Sequence, residues 1–419
     1  MVVNKLGDRD ILTIKGAAVM ETNVYPDSNI PDIVKQIRET LDGIAFDANR
    51  LYRFFGSPQM RDALCREAVA KLASAGWNLF NTIAPSPELK EKIQGLLAQE
   101  GKTILIAPIL RDKVVPWAFV YDRRYDDEAK QIGGVTVDRG TCLAAVPSPG
   151  CPFQTSKCGE PADCLLNPAL QAERKAKGLA PYHEDTVACP LRFWGFRHIL
   201  EVPPRQVEEE NDHPKNEPAA IHSTGTFELV AGLNAKLALC AEHWKELSQL
   251  ATWNSPEYGR DEILDLLRNK QPDIIYFFCH ARGGQLDAAK TYPPYLQFQK
   301  ATASEPGKVR PQDFGDKPVW SHAPLVFLNA CGTLGYSPDA LSPFLKALVD
   351  GRNASGVLGT EVAVAEALAR DFAREFIGRF LSGAKAGRAV LDARRALLTE
   401  RNPLGLVYTL FASADLTIQ

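Results

Sequence analysis

Two residues that could carry out nucleophilic chemistry, His280 and Cys331, each follow a run of apolar residues. The first run is IIYFFC at 274–279, and the second is LVFLNA at 325–330. A cysteine attacks as its thiolate, and a neighbouring imidazole makes and stabilises that form. Because function in open α/β sheets sits beyond the carboxyl ends of the strands, adjacent parallel strands would hold both side chains at one sheet edge. The sequence therefore predicts a His–Cys dyad.

The elements that must position this dyad are predicted from three apolar runs in the C-terminal half. The third run is GVLGT at 356–360, and each run is followed by a helical or glycine-containing segment. Continuous apolar strands alternating with helices favour a parallel sheet that is buried on both faces. Helices are predicted at about 234–250, 261–270, 363–381 and 385–400, with a last strand at LVYTLFAS. Cys279 alternates to the sheet face opposite His280, so it is predicted to be a core residue.

The N-terminal half is predicted to be a separate α/β unit. It carries helical periodicity at 31–55 and 58–75 and strand patterns at TILIAPI (103–109) and WAFVYD (117–122). A cysteine-rich segment with weak apolar periodicity follows, and then a charged stretch with prolines. The predicted organisation is an α/β unit at 1–141, a cysteine-rich segment at 142–204, a linker at 205–221 and a C-terminal domain at 222–419.

Composition excludes several classes of protein. The chain has 419 residues, of which 45% are hydrophobic, and this is too apolar for general disorder. The net charge of −3 gives no basic bias toward nucleic acid or an anionic membrane. The sequence contains no run of 18 apolar residues, so no transmembrane helix is predicted. The N-terminus is charged and lacks the apolar stretch of a signal peptide. We therefore expect a cytoplasmic protein.

Nine cysteines are an odd number in a large chain, which argues against a disulfide framework. The poorly patterned segment contains Cys151, Cys158, Cys164 and Cys189, and four thiolates can hold a structural zinc ion. Cys142 or His183 could replace one ligand. The four cysteines do not have the tight CxxC spacing of strong zinc motifs. The alternative to a zinc site is that they are ordinary reduced cysteines. No cofactor is expected for catalysis.

The C-terminal half resembles a CHAT domain, a family of caspase- and separase-like cysteine peptidases. The segments that carry the resemblance are IIYFFCHARGG, LVFLNACGT, the helical tail from GVLGTEVAVAEALARDF to VLDARRALL, and LVYTLFASADL. The resemblance covers 226–419 and extends more loosely to TILIAPILRDKVVPWAFVYD and CPLRFWGF. The histidine lies 51 positions before the cysteine, which agrees with the spacing of about 50 in caspases.

This resemblance implies a caspase-like, mostly parallel sheet flanked by helices. It also implies that Cys331 attacks the scissile carbonyl, that His280 protonates the leaving amine, and that the N–H groups of Ala281 and Cys331 bind the oxyanion. Two departures are visible. Ala281 stands where the family usually has glycine, and the cysteine loop is CGT after Asn329 rather than CETG or CRG.

The activity that the resemblance implies is endopeptidase cleavage of a protein partner, in bacterial antiviral defence or regulated cell death. A separate sensor or regulatory protein is then expected, because this chain has no repeats. The alternative is a catalytically inactive CHAT-fold module that acts as a scaffold. A third class, the nucleotide-binding α/β proteins, is disfavoured because no GK[ST] phosphate loop is present.

The strand GVLGT and the residue after it bear on specificity. In caspase relatives this strand lines the pocket for the residue before the cut, and here Glu361 follows it. A carboxylate in that pocket would favour cleavage after Arg or Lys, although Glu361 could instead cap the next helix. Glu366 is expected on the solvated helix face. Residues 285–322 are expected to form an irregular loop.

Overall fold

A mostly parallel sheet that is buried on both faces organises the C-terminal half of the computed structural model. The structure describes residues 2–6, 9–16, 19–25, 30–108, 115–143, 164–203, 220–221, 227–287, 290–315, 319–330, 341–360, 362 and 364–419. Four strands lie parallel in the order β12 (Leu229–Leu233), β13 (Ile274–Asp287), β16 (Leu325–Ala330) and β17 (Gly356–Thr360). Strand β18 (Tyr408–Ala412) closes this array and is antiparallel to β17. The predicted α/β fold class is therefore confirmed.

The strands and helices of this half follow the predicted runs closely. The strands are β11 (Ala220–Ile221), β12 (Leu229–Leu233), β13 (Ile274–Asp287), β14 (Lys290–Phe298), β15 (Gly307–Val309), β16 (Leu325–Ala330), β17 (Gly356–Thr360), β18 (Tyr408–Ala412) and β19 (Thr417–Ile418). The helices are α6 (Cys240–Leu250), α7 (Arg260–Asn269), α8 (Gln312–Gly315), α9 (Leu341–Leu345), α10 (Glu366–Leu381) and α11 (Ala386–Thr399).

Helix α10 covers one face of the sheet with an aromatic ridge. Phe372, Phe376 and Phe380 recur every four residues and are all buried, so they form one stripe along the helix. Phe327 of β16 packs edge-on against Phe376 at 5.6 Å between ring centroids, and Phe372 stacks on Tyr408 at 3.6 Å. Truncating a buried phenylalanine such as Phe327 to alanine costs about 3–5 kcal/mol. This ridge therefore fixes α10 against the strands that carry the site.

The segment 285–322 is more regular than the sequence predicted. Strand β13 continues past the parallel sheet and pairs antiparallel with β14, which in turn pairs with β15. A register shift between Arg282 and Gly284 lies where the strand continues toward the hairpin. The prediction of an irregular loop was wrong because this hairpin has little of the apolar alternation that marks a half-buried strand.

The N-terminal half contains helices and small sheets. Its strands are β1 (Val2–Leu6), β2 (Arg9–Gly16), β3 (Val19–Tyr25), β4 (Thr103–Leu105), β5 (Ala107–Pro108), β6 (Gln131–Ile132), β7 (Val135–Thr136), β8 (Asp138–Thr141), β9 (Tyr182–Ala188) and β10 (Ile199–Glu201). Its helices are α1 (Ile30–Ala45), α2 (Pro58–Ile83), α3 (Pro87–Leu96), α4 (Pro168–Ala176) and α5 (Trp194–Arg197). Helix α1 ends ten residues earlier than predicted, and α2 ends eight residues later.

The predicted strand WAFVYD is instead a short 3₁₀ turn, Trp117–Phe119, packed against α2. Gly76 of α2 allows this approach, because a Cβ there would lie 2.1 Å from the Phe119 carbonyl oxygen. The Tyr121 N–H donates to the Gly76 carbonyl at 3.2 Å. An apolar run that is buried on all sides does not reveal from its pattern alone whether it is extended.

The two halves share a buried interface through α11. Arg394, which is buried, donates to the carbonyl of Gly195 at 3.2 Å and to the carbonyl of Tyr408. Arg395 donates to the carbonyl of Phe196 at 2.7 Å. The segment CPLRFWGF therefore packs against the peptidase-like half. Most of the predicted linker, residues 205–219, lies outside the described residues, and its end, β11, pairs parallel with β19.

Candidate active site

The pairing register places the residues that precede the two predicted reactive positions at the same level of the sheet. Strands β13 and β16 pair in parallel from Ile274 with Leu325 to Cys279 with Ala330. In the sequence, His280 follows Cys279 and Cys331 follows Ala330. Cys331 itself lies outside the described residues.

His280 emerges where β13 leaves the parallel sheet. The six residues before it, from Ile274 to Cys279, are buried, whereas His280 is partly exposed. Alternation along the strand puts His280 on the same face as Tyr276 and Phe278. The strand does not end at this residue as predicted, since His280 pairs with Gln297 and Ala281 with Leu296 of the antiparallel hairpin. Ala281 is buried on the opposite face.

The neighbouring thiol of Cys279 is a core group, as predicted. It is fully buried, and burial raises its pKa well above the usual value for cysteine. Burial likewise raises the pKa of Cys65 to about 12 and that of Cys240 to about 11. Because the thiolate is the nucleophilic form, these three cysteines are chemically inert at neutral pH.

A buried polar network lies on the sheet face from which His280 emerges. Asn329, two residues before Cys331, donates from Nδ2 to the Tyr276 hydroxyl and to the Ala369 carbonyl, both at 2.8 Å. The Tyr408 hydroxyl donates to Asn329 Oδ1 at 2.8 Å. The Tyr276 hydroxyl also contacts His243 Nε2 at 2.5 Å. We define the side chains of His243, Tyr276, Asn329 and Tyr408 as the polar network.

The sequence analysis did not predict this network, although two polar residues in the apolar runs indicate it. Asn329 and Tyr276 are the polar interruptions of the two apolar runs, LVFLNA and IIYFFC. A polar side chain inside a strand that is buried on both faces must have hydrogen-bond partners. The partners come from α6, α10 and β18, and nothing in the local sequence indicates which residues they are.

His243 is held neutral by its surroundings. Burial, followed by the nearby Arg370 and Arg374 guanidinium groups, lowers the pKa of His243 to about 3. His243 Nε2 lies within hydrogen-bond distance of the Tyr276 hydroxyl, and which of the two groups donates depends on the imidazole tautomer.

A second buried histidine, His198, has neither ring nitrogen hydrogen-bonded among the described residues. Burial lowers its pKa to about 3, and the positive charges of Arg197, Arg395 and Lys102 act in the same direction. In the unfolded chain histidine has a pKa of about 6.5. Between pH 6.5 and 3 the unfolded state therefore binds a proton that the folded state does not bind.

Stability is accordingly expected to be full above pH 6.5 and to fall as the pH decreases toward 3. Each of His198 and His243 is expected to contribute a loss of about 2 kcal/mol in unfolding free energy between pH 7 and pH 5. Urea unfolding at the two pH values measures this. His198→Leu removes one of these groups without leaving a buried polar atom, so it should reduce the loss by about 2 kcal/mol. A loss equal to that of the wild type would contradict the assignment.

The residues predicted to select substrate are only partly described. Glu361, the residue after β17, lies outside the described residues. Glu366 does not lie on a solvated face as predicted, because its Oε2 accepts a hydrogen bond from the Leu239 N–H at 2.9 Å. It thereby connects the start of α10 to the residue that precedes α6.

The cysteine-rich segment brings two thiols into contact. Cys142 and Cys164 are hydrogen-bonded; this bond, then burial and then the nearby Cys189, raise the pKa of Cys142. His183 is instead bonded at Nδ1 by the Asp185 N–H at 3.1 Å. No group of three or more potential metal ligands is found within the described residues. Cys151 and Cys158 lie outside them.

Structural zinc therefore remains a prediction, and the contact of Cys142 with Cys164 favours Cys142 over His183 as a substitute ligand. We expect near-stoichiometric zinc by elemental analysis of protein purified without chelator, and a lower melting temperature after chelation, since metal binding stabilises a loop-rich unit. Replacing Cys158 by serine should release the metal. Protein that is fully folded and free of zinc would contradict the prediction.

No helix among the described residues is both long enough and apolar enough to cross a membrane.

A cavity between the Tyr52 loop and helices α10 and α11 contains Arg61, Arg370 and Arg374. Each of these arginines is paired with a carboxylate. This cavity does not include His280 and has no net charge that would attract an ionic ligand.

Two comparisons of the sequence with known proteins give matches. Residues 221–407 match the family model described as the CHAT domain. A probable protease of Vitiosangium sp. (strain GDMCC 1.1324) is 28% identical over 380 residues, which cover 87% of this chain and 45% of that protein. The chain thus spans less than half the length of this curated relative.

Two crystal structures of the Saccharomyces cerevisiae separase–securin complex are also similar. They have TM-scores of 0.46 and 0.44 at 11% identity, and the alignments cover 100% of this chain and 30% of the separase chain.

Proposed function

We propose that this chain, whose residues 221–407 form a CHAT domain, is a cysteine endopeptidase with Cys331 as nucleophile and His280 as general acid–base. The observation that carries the proposal is the register of β13 and β16, which pairs Cys279 with Ala330 immediately before the two residues. The similarity to a probable protease supports the same reaction class.

Covalent geometry limits how far apart the dyad can be. Neighbouring strands lie about 4.8 Å apart, and consecutive Cα atoms are about 3.8 Å apart. The Cα atoms of His280 and Cys331 are therefore within about 12 Å of each other in any conformation that keeps the last strand pair. If this Cα–Cα distance is short and both side chains lie on one face of the sheet, the imidazole and the thiolate can be in direct contact.

The reaction follows from these groups. The Cys331 thiolate attacks the scissile carbonyl carbon, and the carbonyl π electrons move to the oxygen. His280 donates a proton to the leaving amine, which departs and leaves a thioester on Cys331. Water, deprotonated by His280, then hydrolyses this thioester and regenerates the thiol. The N–H groups of Ala281 and Cys331 would stabilise the oxyanion, and each such donor contributes about 3–4 kcal/mol.

The proposed substrate is a protein partner that is cut after a basic residue, and the proposed setting is bacterial defence or regulated cell death. A separate sensor or regulatory protein is proposed to control the enzyme. The buried interface between α11 and the CPLRFWGF segment supports a regulatory contribution from the N-terminal half, because a change there can reach β18 through Arg394.

Incubation with a peptide library tests the proposal. Wild-type protein should generate new peptide termini in a defined sequence context, and the Cys331→Ala variant should generate none. If neither protein cleaves and Cys331 is alkylated no faster than the buried thiols, the domain acts instead as a catalytically inactive scaffold.

A further inference from the structure

The polar network connects the two strands that carry the dyad. Tyr276 lies four residues before His280 on β13, and Asn329 lies two residues before Cys331 on β16. Their hydrogen bond crosses between the strands on the face from which His280 emerges. All four side chains of the network are fully buried.

Resting on the proposed function, we propose that Asn329 is a positioning residue whose carboxamide fixes the nucleophile strand relative to the histidine strand. It acts through the strand and not through the substrate. The described contacts already use both Nδ2 protons and the Oδ1 acceptor, and the side chain has no exposed surface.

The geometry explains why one carboxamide can do this. Asn329 bonds to a different element in each of three directions: β13 through Tyr276, α10 through the Ala369 carbonyl, and β18 through Tyr408. A shift or rotation of β16 at this position would break all three bonds in a site that water does not reach, where lost hydrogen bonds are costly. The end of β16, which leads to the proposed nucleophile, is therefore held to a narrow range of positions relative to β13.

The direction of each hydrogen bond adds to the restraint. Tyr408 donates to Asn329 Oδ1, whereas Asn329 Nδ2 donates to Tyr276 and to the Ala369 carbonyl. Turning the carboxamide over would set its carbonyl oxygen against the Ala369 carbonyl oxygen, and neither of these atoms can donate. The Ala369 carbonyl therefore fixes the orientation of the Asn329 carboxamide.

The test removes the hydroxyl groups that hold Asn329, since replacing Asn329 itself leaves two buried hydroxyls without a partner and could unfold the domain. The variants are Tyr276→Phe and Tyr408→Phe. The matched control is Tyr121→Phe, because Tyr121 is an equally buried tyrosine whose hydroxyl accepts one hydrogen bond, from the Cys189 N–H, in the N-terminal half. The readouts are the rate of Cys331 alkylation by iodoacetamide as a function of pH, and kcat and KM on a cleaved peptide.

We expect both network variants to raise the apparent pKa of Cys331 alkylation by about 0.5–1 unit and to lower kcat about tenfold with KM unchanged, while Tyr121→Phe leaves both readouts as in the wild type. Because both hydroxyls act through Asn329, the double variant should lose less than the product of the single losses. Alkylation profiles that match the wild type in both variants would overturn the positioning role. The alkylation readout does not require peptide cleavage, so a wild type that cuts no peptide refutes the proposed function separately.

Discussion

Replacing His280 by alanine is expected to lower kcat/KM for peptide cleavage about 100- to 10,000-fold, the range typical of a positioned general acid–base. Replacing Cys331 by alanine is expected to abolish cleavage, because every cysteine among the described residues is buried and cannot reach a substrate. The melting temperature should change little in His280→Ala, since this side chain lies at the exposed end of the buried run. Steady-state kinetics on a cleaved peptide and thermal unfolding measure the two effects.

The adjacent thiol provides the matched control. Cys279→Ala removes a fully buried sulfur, so it should lower the melting temperature and leave kcat/KM within a few-fold of the wild type. Iodoacetamide should modify Cys331 faster than the buried Cys65 or Cys279, and His280→Ala should slow the modification of Cys331 at neutral pH. Full proteolysis by His280→Ala, or equal alkylation of all three thiols, would contradict the dyad.

The parallel sheet could be predicted from the sequence because its strands are continuous apolar runs. A strand covered on both faces, such as β16 or β17, has no polar side chain facing water, and this pattern is rare outside buried sheets. The helices α10 and α11 were predicted to within a few residues for a related reason. Each has a wide apolar face with polar residues opposite, so the helical period is visible.

The polar network could not be predicted, because its members are brought together only by the fold. Tyr276 and Asn329 are 53 positions apart in the chain, and Asn329 and Tyr408 are 79 apart. Side-chain hydrogen bonds leave no periodicity in a sequence. The packing of Trp117–Phe119 on α2 was missed for a similar reason, since it depends on the absence of a side chain at Gly76.

The buried arginine on α11, Arg394, forms hydrogen bonds with both halves of the chain. Arg394 contacts the carbonyl of Gly195 in one half and that of Tyr408 in the other, and the Tyr408 hydroxyl binds Asn329. A guanidinium group has five donors in a rigid fork, so it can hold both backbone segments at once. The N-terminal half is therefore connected to β16 through the side chains of Arg394, Tyr408 and Asn329.

Peptides with arginine before the cut are expected to be cleaved at least tenfold faster than otherwise identical aspartyl peptides. The reason is the carboxylate of Glu361, which follows β17, the strand beside the nucleophile strand. A guanidinium can bind a carboxylate through two charge-assisted hydrogen bonds, each about 1.5–3 kcal/mol. Glu361→Gln should therefore reduce the arginyl-to-aspartyl ratio of kcat/KM about 10- to 100-fold. Fluorogenic peptides that differ only at that residue measure the ratio.

The competing role for Glu361 is a cap on helix α10, whose first turn favours acidic side chains. Glu366→Gln is the matched control, because Glu366 lies at the start of α10 and its carboxylate accepts a hydrogen bond from the Leu239 N–H. A capping role predicts that both glutamine variants lower the melting temperature and leave the specificity ratio unchanged. A selecting role predicts that only Glu361→Gln changes the ratio, because only a carboxylate that meets the substrate distinguishes a cation from an anion. Faster cleavage of aspartyl or aliphatic peptides by the wild type would exclude Glu361 as the selector.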